Sequence, residues 1–269
     1  MSHILAYDFM RNAALAGTGI ALAAGLAGYF VVLRNQVFTS DALGHVAFTS
    51  GLGALVGGVQ LLAGVFGGTI AVALGMGGLG GRARGRDVAV GTVFAWVLGC
   101  GVLFLSLYSR GRSAAGGTAG VSLLFGSILG LRPAQAVAAA AAGVVISALL
   151  LLIARPLLFL SVDPDVAAAR GVPATALSFG FLVLLGATVA EAVQAVGALL
   201  ILGLLVMPAA TAQRLTARPY LGLALSGVLA VLFVWAGLVL AFYLPYPASF
   251  LITTLAFATY LVSRWGWLW

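Results

Sequence analysis

The sequence predicts an all-α bundle of membrane-spanning helices, and three observations predict it. Of 269 residues, 63% are hydrophobic and only 7% are charged, against about 25% charged in an ordinary soluble domain. Mean hydropathy is +1.18. The apolar residues fall into successive runs of about 20, the length a helix needs to cross about 30 Å of hydrocarbon.

The runs lie near 12–33, 41–60, 62–80, 88–108, 134–154, 174–191, 195–213, 219–243 and 247–263. Asp41, His45, Thr49, Ser50 and many glycines make 41–60 a poor lipid-facing helix, so this part of the chain can be buried, bent or partly re-entrant. The expected count is therefore eight or nine crossings. Met1 to Asp8 holds no basic cluster, and no small-residue cleavage site follows, so the first run is expected to be kept rather than cleaved as a signal.

The 13 basic residues are all arginine, and the acids are Asp8, Asp41, Asp87, Asp163, Asp165 and Glu191, for a net charge of +7. This excess marks topology rather than a nucleic-acid partner. With nine crossings and the N-terminus outside, Arg34, Arg82, Arg84, Arg86, Arg155, Arg170, Arg214, Arg218 and Arg264 fall in the cytoplasm. Arg11, Arg110, Arg112 and Arg132 fall outside, an asymmetry that satisfies the positive-inside rule. Cys100 is the one cysteine, which excludes an intrachain disulfide or a cysteine metal cluster, and it reads as a small core residue.

Glycines number 37 and cluster as Gly51, Gly53, Gly57, Gly58, Gly64, Gly67 and Gly68 in the second and third runs. Small residues let helix backbones approach closely in lipid. Coding bias toward glycine and alanine accounts for the same enrichment without any site. In the outer loop 109–133, a glycine- and serine-rich stretch precedes Leu123 to Gly130. That eight-residue apolar run is too short to span and is expected to be interfacial or partly re-entrant.

Two inner loops, 161–173 and 208–219, stand out within a single membrane domain, 1–269. In the first, Asp163 can cap a short helix, Pro164 suits its first position and Gly171 its stop, with Arg170 just before. In the second, Pro208 bends the end of a span, and Gln213, Arg214 and Arg218 lead to Pro219. Taken alone, each loop reads first as a plain solvated connection.

The polar residues that need explaining are Asp41 and His45. Four apart on a helix, they share one face, and ionisable groups within a membrane are costly enough to be functional candidates. An N-cap role for Ser40 or Asp41 accounts for the acid but leaves His45 unexplained. The alternative is a metal or proton site, since imidazole nitrogen with carboxylate oxygen suits zinc, manganese or ferrous iron. Two ligands are too few for a tetrahedral site. Glu191 and Gln194 could add oxygen, or a twofold-related second copy could supply another Asp41 and His45. Asp87, after three arginines, reads as a helix cap. No Walker, His-Glu-x-x-His or Gly-x-Ser-x-Gly motif is present, so the chain is not expected to be an enzyme and any driving energy comes from a partner or an ion gradient.

Several stretches together resemble the membrane-spanning permease subunits of bacterial ABC importers for zinc, manganese and iron. They are Val31 to Arg34 followed by Ser40-Asp41-Ala42-Leu43-Gly44-His45; Leu124 to Leu129; Asp163-Pro164-Asp165 with Ala167, Ala169 and Gly171; and Val196 to Leu200 running to Met207-Pro208-Ala209-Ala210-Thr211-Ala212. Two departures are Gly44, where the family carries serine, and Thr49-Ser50, where Pro-Gly is common. The resemblance implies a homodimer or pseudo-dimer in the cell membrane, two cytoplasmic ATPase subunits, and an extracytoplasmic metal-binding protein that delivers the ion. It also implies that the two inner loops dock on the ATPases, and that the metal is transported cargo rather than a resident cofactor. The rivals are a related permease for siderophore or cobalamin cargo, which needs no such ligand pair, and an ion-coupled secondary transporter working without an ATPase.

Overall fold

The computed structural model describes residues 6–79, 83–111 and 123–265, and every regular element among them is helical. In chain order these are α1 (Asp8–Leu33), α2 (Val37–Val56), α3 (Leu61–Leu79) and α4 (Ala83–Gly111), then a 3-10 turn (Ile128–Gly130). They continue as α5 (Pro133–Val162), α6 (Pro164–Ala169), α7 (Ala174–Val196), α8 (Ile201–Leu215), α9 (Pro219–Tyr243) and α10 (Ala248–Trp265). By length and composition α1, α3, α4, α5, α7 and α9 can each cross a membrane, and α8 is a shorter apolar helix. Each expected run coincides with a helix, with shifted ends. Arg82, Arg112 and loop residues 112–122 lie outside the described residues.

Helix α1 is the core of the bundle, with 78% of its apolar window buried. Its partners come close because α1 offers glycine at the crossings. A Cβ on Gly19 would stand 2.8 Å from the Ala140 Cα of α5, and one on Gly25 would stand 2.6 Å from the Ser226 carbonyl oxygen of α9. At that second crossing the Ser226 hydroxyl donates to the Gly25 carbonyl at 2.6 Å. In lipid, helix association rests on this packing and on interhelical hydrogen bonds, because burial of apolar surface gains little there.

A second group forms around α2, which packs on α3 and α4. Gly64 and Gly68 bring α3 against Ala54 and Ser50, and Gly51 admits Val65 at 3.0 Å. Gly58 and Gly67 have open space where a Cβ would go, so only part of the glycine cluster serves packing. Thr49 donates to the Val97 carbonyl at 3.2 Å and ties α2 to α4.

The helix ends follow local chemistry in most places. Pro133 opens α5, where Gln135 accepts from the Arg132 N–H at 3.0 Å. That helix runs through Pro156 to Val162, longer than the expected run, its last turn closing with the Asp163 N–H on the Phe159 carbonyl. Asp163 then caps α6, accepting from the Val166 N–H at 3.0 Å, with Pro164 in the first position and Gly171 at φ 75° beyond the end. Asp87 does not cap α4, which starts four residues earlier at Ala83. The tertiary structure gathers Arg34, Arg170, Arg214, Arg218 and Arg264 toward one end of the bundle, where Arg34 meets Ser161 and Ser178 and Arg214 lies over Tyr260. Arg11 and Arg132 lie toward the other, where Asn12 donates to the Leu131 carbonyl at 3.4 Å.

Candidate functional site

The position of Asp41 and His45 is set by the tight connection between α1 and α2. Arg34 closes α1 with its N–H on the Phe30 carbonyl, and Asn35, whose N–H donates to the Val32 carbonyl at 3.2 Å, takes φ 53°, a left-handed conformation that asparagine tolerates. The Gln36 N–H returns to the Val31 carbonyl at 2.8 Å, and α2 starts at Val37. Neither Ser40 nor Asp41 therefore caps the helix. Ser40 instead donates back to the Val37 carbonyl at 2.7 Å, and Asp41 stands in the second turn. The capping account of Asp41 fails because the helix begins four residues before it.

Phe38, Asp41 and His45 are spaced three and four apart, so they line one stripe of α2 beside α4. The His45 ring lies 5.2 Å from that of Phe94, and Phe38 meets the same ring edge-on at 5.9 Å. Asp41 and His45 are both half-buried, and within the described residues neither makes a hydrogen bond or ion pair. Among the described residues, nothing satisfies their polar atoms.

Gly44, between the two, faces a break in the helical chain. Helix α7 ends at Val196, Gly197 takes φ 89°, and α8 resumes at Ile201. The expected run 195–213 therefore does not start as a helix. Gly126, at φ 74°, backs onto Gly197, and the Ala198 and Leu199 N–H groups donate to the Leu123 and Leu124 carbonyls at 3.0 and 3.2 Å. The short apolar run after the outer loop is thus the partner of the break, satisfying backbone groups that would otherwise be costly within a membrane. A Cβ on Gly44 would lie 3.0 Å from Ile201 Cγ2 and 3.3 Å from the Ala198 carbonyl oxygen, which gives the departure from serine a steric reason. Composition and run length missed this break; the two left-handed glycines were its only local signal.

The other sequence candidates lie elsewhere. Glu191 is 1% exposed near the end of α7, its carboxyl facing the α5 backbone at Gly143, yet neither oxygen makes a hydrogen bond within 3.5 Å. Gln194 is half-buried, and its carbonyl accepts from the Ser127 N–H at 3.1 Å. Among the described residues, no three His, Cys, Asp or Glu side chains come together as a metal group, so Glu191 does not complete the Asp41 and His45 pair. Of the loop residues, Asp163, Pro164, Arg170, Gly171 and Arg218 are exposed. Gln213 turns inward and donates to the Tyr29 carbonyl at 3.0 Å, and Arg214 lies 5.5 Å over the Tyr260 ring.

A family model described as "ABC 3 transport family" matches residues 6–266. An uncharacterized membrane protein of Synechocystis sp. is 30% identical over 265 residues, covering 98% of this chain and 92% of that protein. The manganese transport system membrane protein MntC of Listeria monocytogenes is 28% identical over 214 residues, covering 79% of this chain and 74% of its own length. The solved structure of PsaBC from Streptococcus pneumoniae in complex with Fab shares the fold, with a TM-score of 0.83 at 24% identity over 96% of this chain and 91% of that one.

Proposed function

From the premise that the chain belongs to the ABC 3 transport family, we propose that it is the membrane-spanning subunit of an ATP-driven importer of divalent transition-metal ions. The observation that carries this is the Asp41 and His45 pair, half-buried one turn apart on α2 with no hydrogen-bond or ion-pair partner among the described residues. A manganese transport protein among the relatives supports the cargo class. Manganese, iron and zinc all accept this mixed oxygen and nitrogen donor set.

One chain offers two ligands, so the complete site lies where a second permease copy brings another Asp41 and His45 to a shared axis. The unwound backbone at 197–200 beside Gly44 belongs to the same pathway, because broken helices expose backbone groups where an ion passes. The chain crosses the membrane nine times, with α2, α8 and α10 as the shorter crossings. The arginine-rich end faces the cytoplasm, which places the N-terminus outside and the C-terminus inside. There, loops 161–173 and 208–219 meet two ATPase subunits, with Asp163, Pro164, Arg170, Gly171 and Arg218 exposed for contact and Gln213 and Arg214 holding the second loop in place. An extracytoplasmic binding protein delivers the ion to the opposite end.

The test is uptake of labelled manganese, iron and zinc by cells with and without this chain and its ATPase. Deletion should lower accumulation of at least one metal, and unchanged uptake of all three would overturn the proposal.

Arg34 gives a sharper prediction about coupling. Its Nη1 and Nη2 donate to Ser161 at 3.3 Å and Ser178 at 3.0 Å, and its guanidinium lies 5.7 Å over Phe181. Ser161 and Ser178 flank the first docking loop, so one planar group joins both stems of that loop to the turn leading into α2. Arg34→Lys keeps the charge but loses the fork. Metal uptake should fall about tenfold, the cost of one or two charged hydrogen bonds, while ATP hydrolysis by the assembled complex persists. Uptake and hydrolysis falling in parallel would show that Arg34 does not link them.

A further inference from the structure

The break between α7 and α8 holds a backbone acceptor that the bundle leaves unused. Ala198 is 1% exposed, and among the described residues no N–H or side-chain donor bonds to its carbonyl oxygen. A continuous helix would supply the Leu202 N–H four residues on. Regular helix resumes only at Ile201, and that bond is not made. Burying a carbonyl without a partner is costly, above all within a membrane.

The direction of this oxygen is fixed from the opposite side. The peptide joining Ala198 to Leu199 has its N–H pinned to the Leu124 carbonyl at 3.2 Å. In a trans peptide the C=O points opposite to the N–H, so this one turns away from the segment at 123–126 and toward α2. A Cβ on Gly44 would stand 3.3 Å from the oxygen. Gly44 comes three residues after Asp41 and one before His45, and it carries no side chain to cover that oxygen. A carboxylate, an imidazole nitrogen and a backbone carbonyl are therefore grouped about one turn of α2. Each offers a lone pair, and none receives a hydrogen bond from a described residue. A group of acceptors without donors is suited to a cation.

We propose that the Ala198 carbonyl oxygen is a third metal ligand from each chain, kept open by the missing side chain at Gly44. The inference rests on the metal import proposed above and sharpens which ion the site takes. Side chains alone give two ligands per chain and four from two copies, a number that suits tetrahedral zinc. With the carbonyl, each chain gives three and two copies give six. Six donors that include carboxylate and carbonyl oxygens suit manganese, which favours octahedral, oxygen-rich sites, over zinc. Position 44 is then a specificity-determining position, because a side chain there stands between the carbonyl and the ion.

The test reads ligation and selectivity separately. For ligation, the permease assembled with its ATPase is purified from cells fed alanine labelled with carbon-13 at the carbonyl, loaded with Mn(II), and measured by electron–nuclear double resonance. A directly bound carbonyl couples its carbon-13 to the manganese. The coupling should vanish in Ala198→Gly, which keeps the carbonyl and loses the label. For selectivity, uptake of labelled manganese and of labelled zinc is compared in cells carrying the wild type or Gly44→Ala, whose methyl group fills the space in front of the oxygen. Half-saturating manganese should rise at least about tenfold, the scale of losses at metal sites, and half-saturating zinc much less. The unfolding temperature of Gly44→Ala is measured alongside; if that variant does not fold, the coupling in the wild type decides. Manganese bound without the coupling, a coupling that survives Ala198→Gly, a complex that binds no manganese, or equal shifts or none for the two metals in folded Gly44→Ala would each overturn the proposal. All of these leave import itself standing, since that reading falls only if deleting the chain changes uptake of none of manganese, iron and zinc.

Discussion

Asp41→Ala and His45→Ala are each expected to abolish metal accumulation while leaving the protein folded and in the membrane. The two side chains stand one turn apart on α2, half-buried and without a hydrogen bond in the described chain. Removing Asp41 breaks no hydrogen bond or ion pair among the described residues, and removing His45 costs only its ring contact with Phe94. The expected loss of stability is about 0.5 kcal/mol or less for Asp41→Ala and about 1 kcal/mol for His45→Ala. Transport is a different matter. If two copies pool four ligands, each substitution removes two of them at once. Even outer-shell changes at metal sites cost roughly 10–100-fold, so loss of two direct ligands should reduce uptake by more than about 100-fold. The measurement pairs labelled-metal uptake with the amount and unfolding temperature of the purified variant. A variant that is stable and still transports normally would remove Asp41 and His45 from the pathway. Asp41→Asn separates charge from shape, since it keeps one oxygen donor but not the carboxylate.

Gly28→Ala is expected to have the largest effect on the fold itself. A Cβ at this position would run into the Leu205 carbonyl oxygen of α8, at a separation no side-chain rotation can relieve because the obstacle is backbone. α1 cannot retreat, since Gly19 and Gly25 press against α5 and α9 on its other faces. Overpacking of a filled interior typically costs about 1–3 kcal/mol, and a backbone collision shared by helices on several sides should reach or exceed the upper figure. The purified variant should unfold at a clearly lower temperature and accumulate poorly in cells. Gly75→Ala and Gly78→Ala, where a new Cβ meets open space, serve as matched controls and should behave as the parent. Equal stability of Gly28→Ala and these controls would mean that α8 can move away from α1.

The same contacts explain why some local expectations failed. Ser40 and Asp41 look like a helix start because they follow a short polar stretch, but the left-handed Asn35 turns the chain early enough for α2 to begin at Val37. Asp87 reads as a cap after its arginines, yet α4 is already helical from Ala83. The expected run stopped near 154, yet α5 carries on through Pro156 to Val162. Where Asp163, Pro164 and Gly171 all agreed on one short helix, α6 formed between them. Local signals held where several coincided and gave way where a single residue stood against packing.

By itself the sequence determined the helical class, the approximate place of each long helix, the arginine asymmetry between the two ends, and the pairing of Asp41 with His45. All of these follow from hydropathy, charge and helical period, which act over a few turns of one chain segment. Only the tertiary structure decided that Glu191 stays apart from that pair, that Gln213 turns to the Tyr29 carbonyl, and that Gly44 meets the break at Gly197. Those outcomes depend on which helices touch and at what height, and they are set by close backbone crossings between segments far apart in the chain.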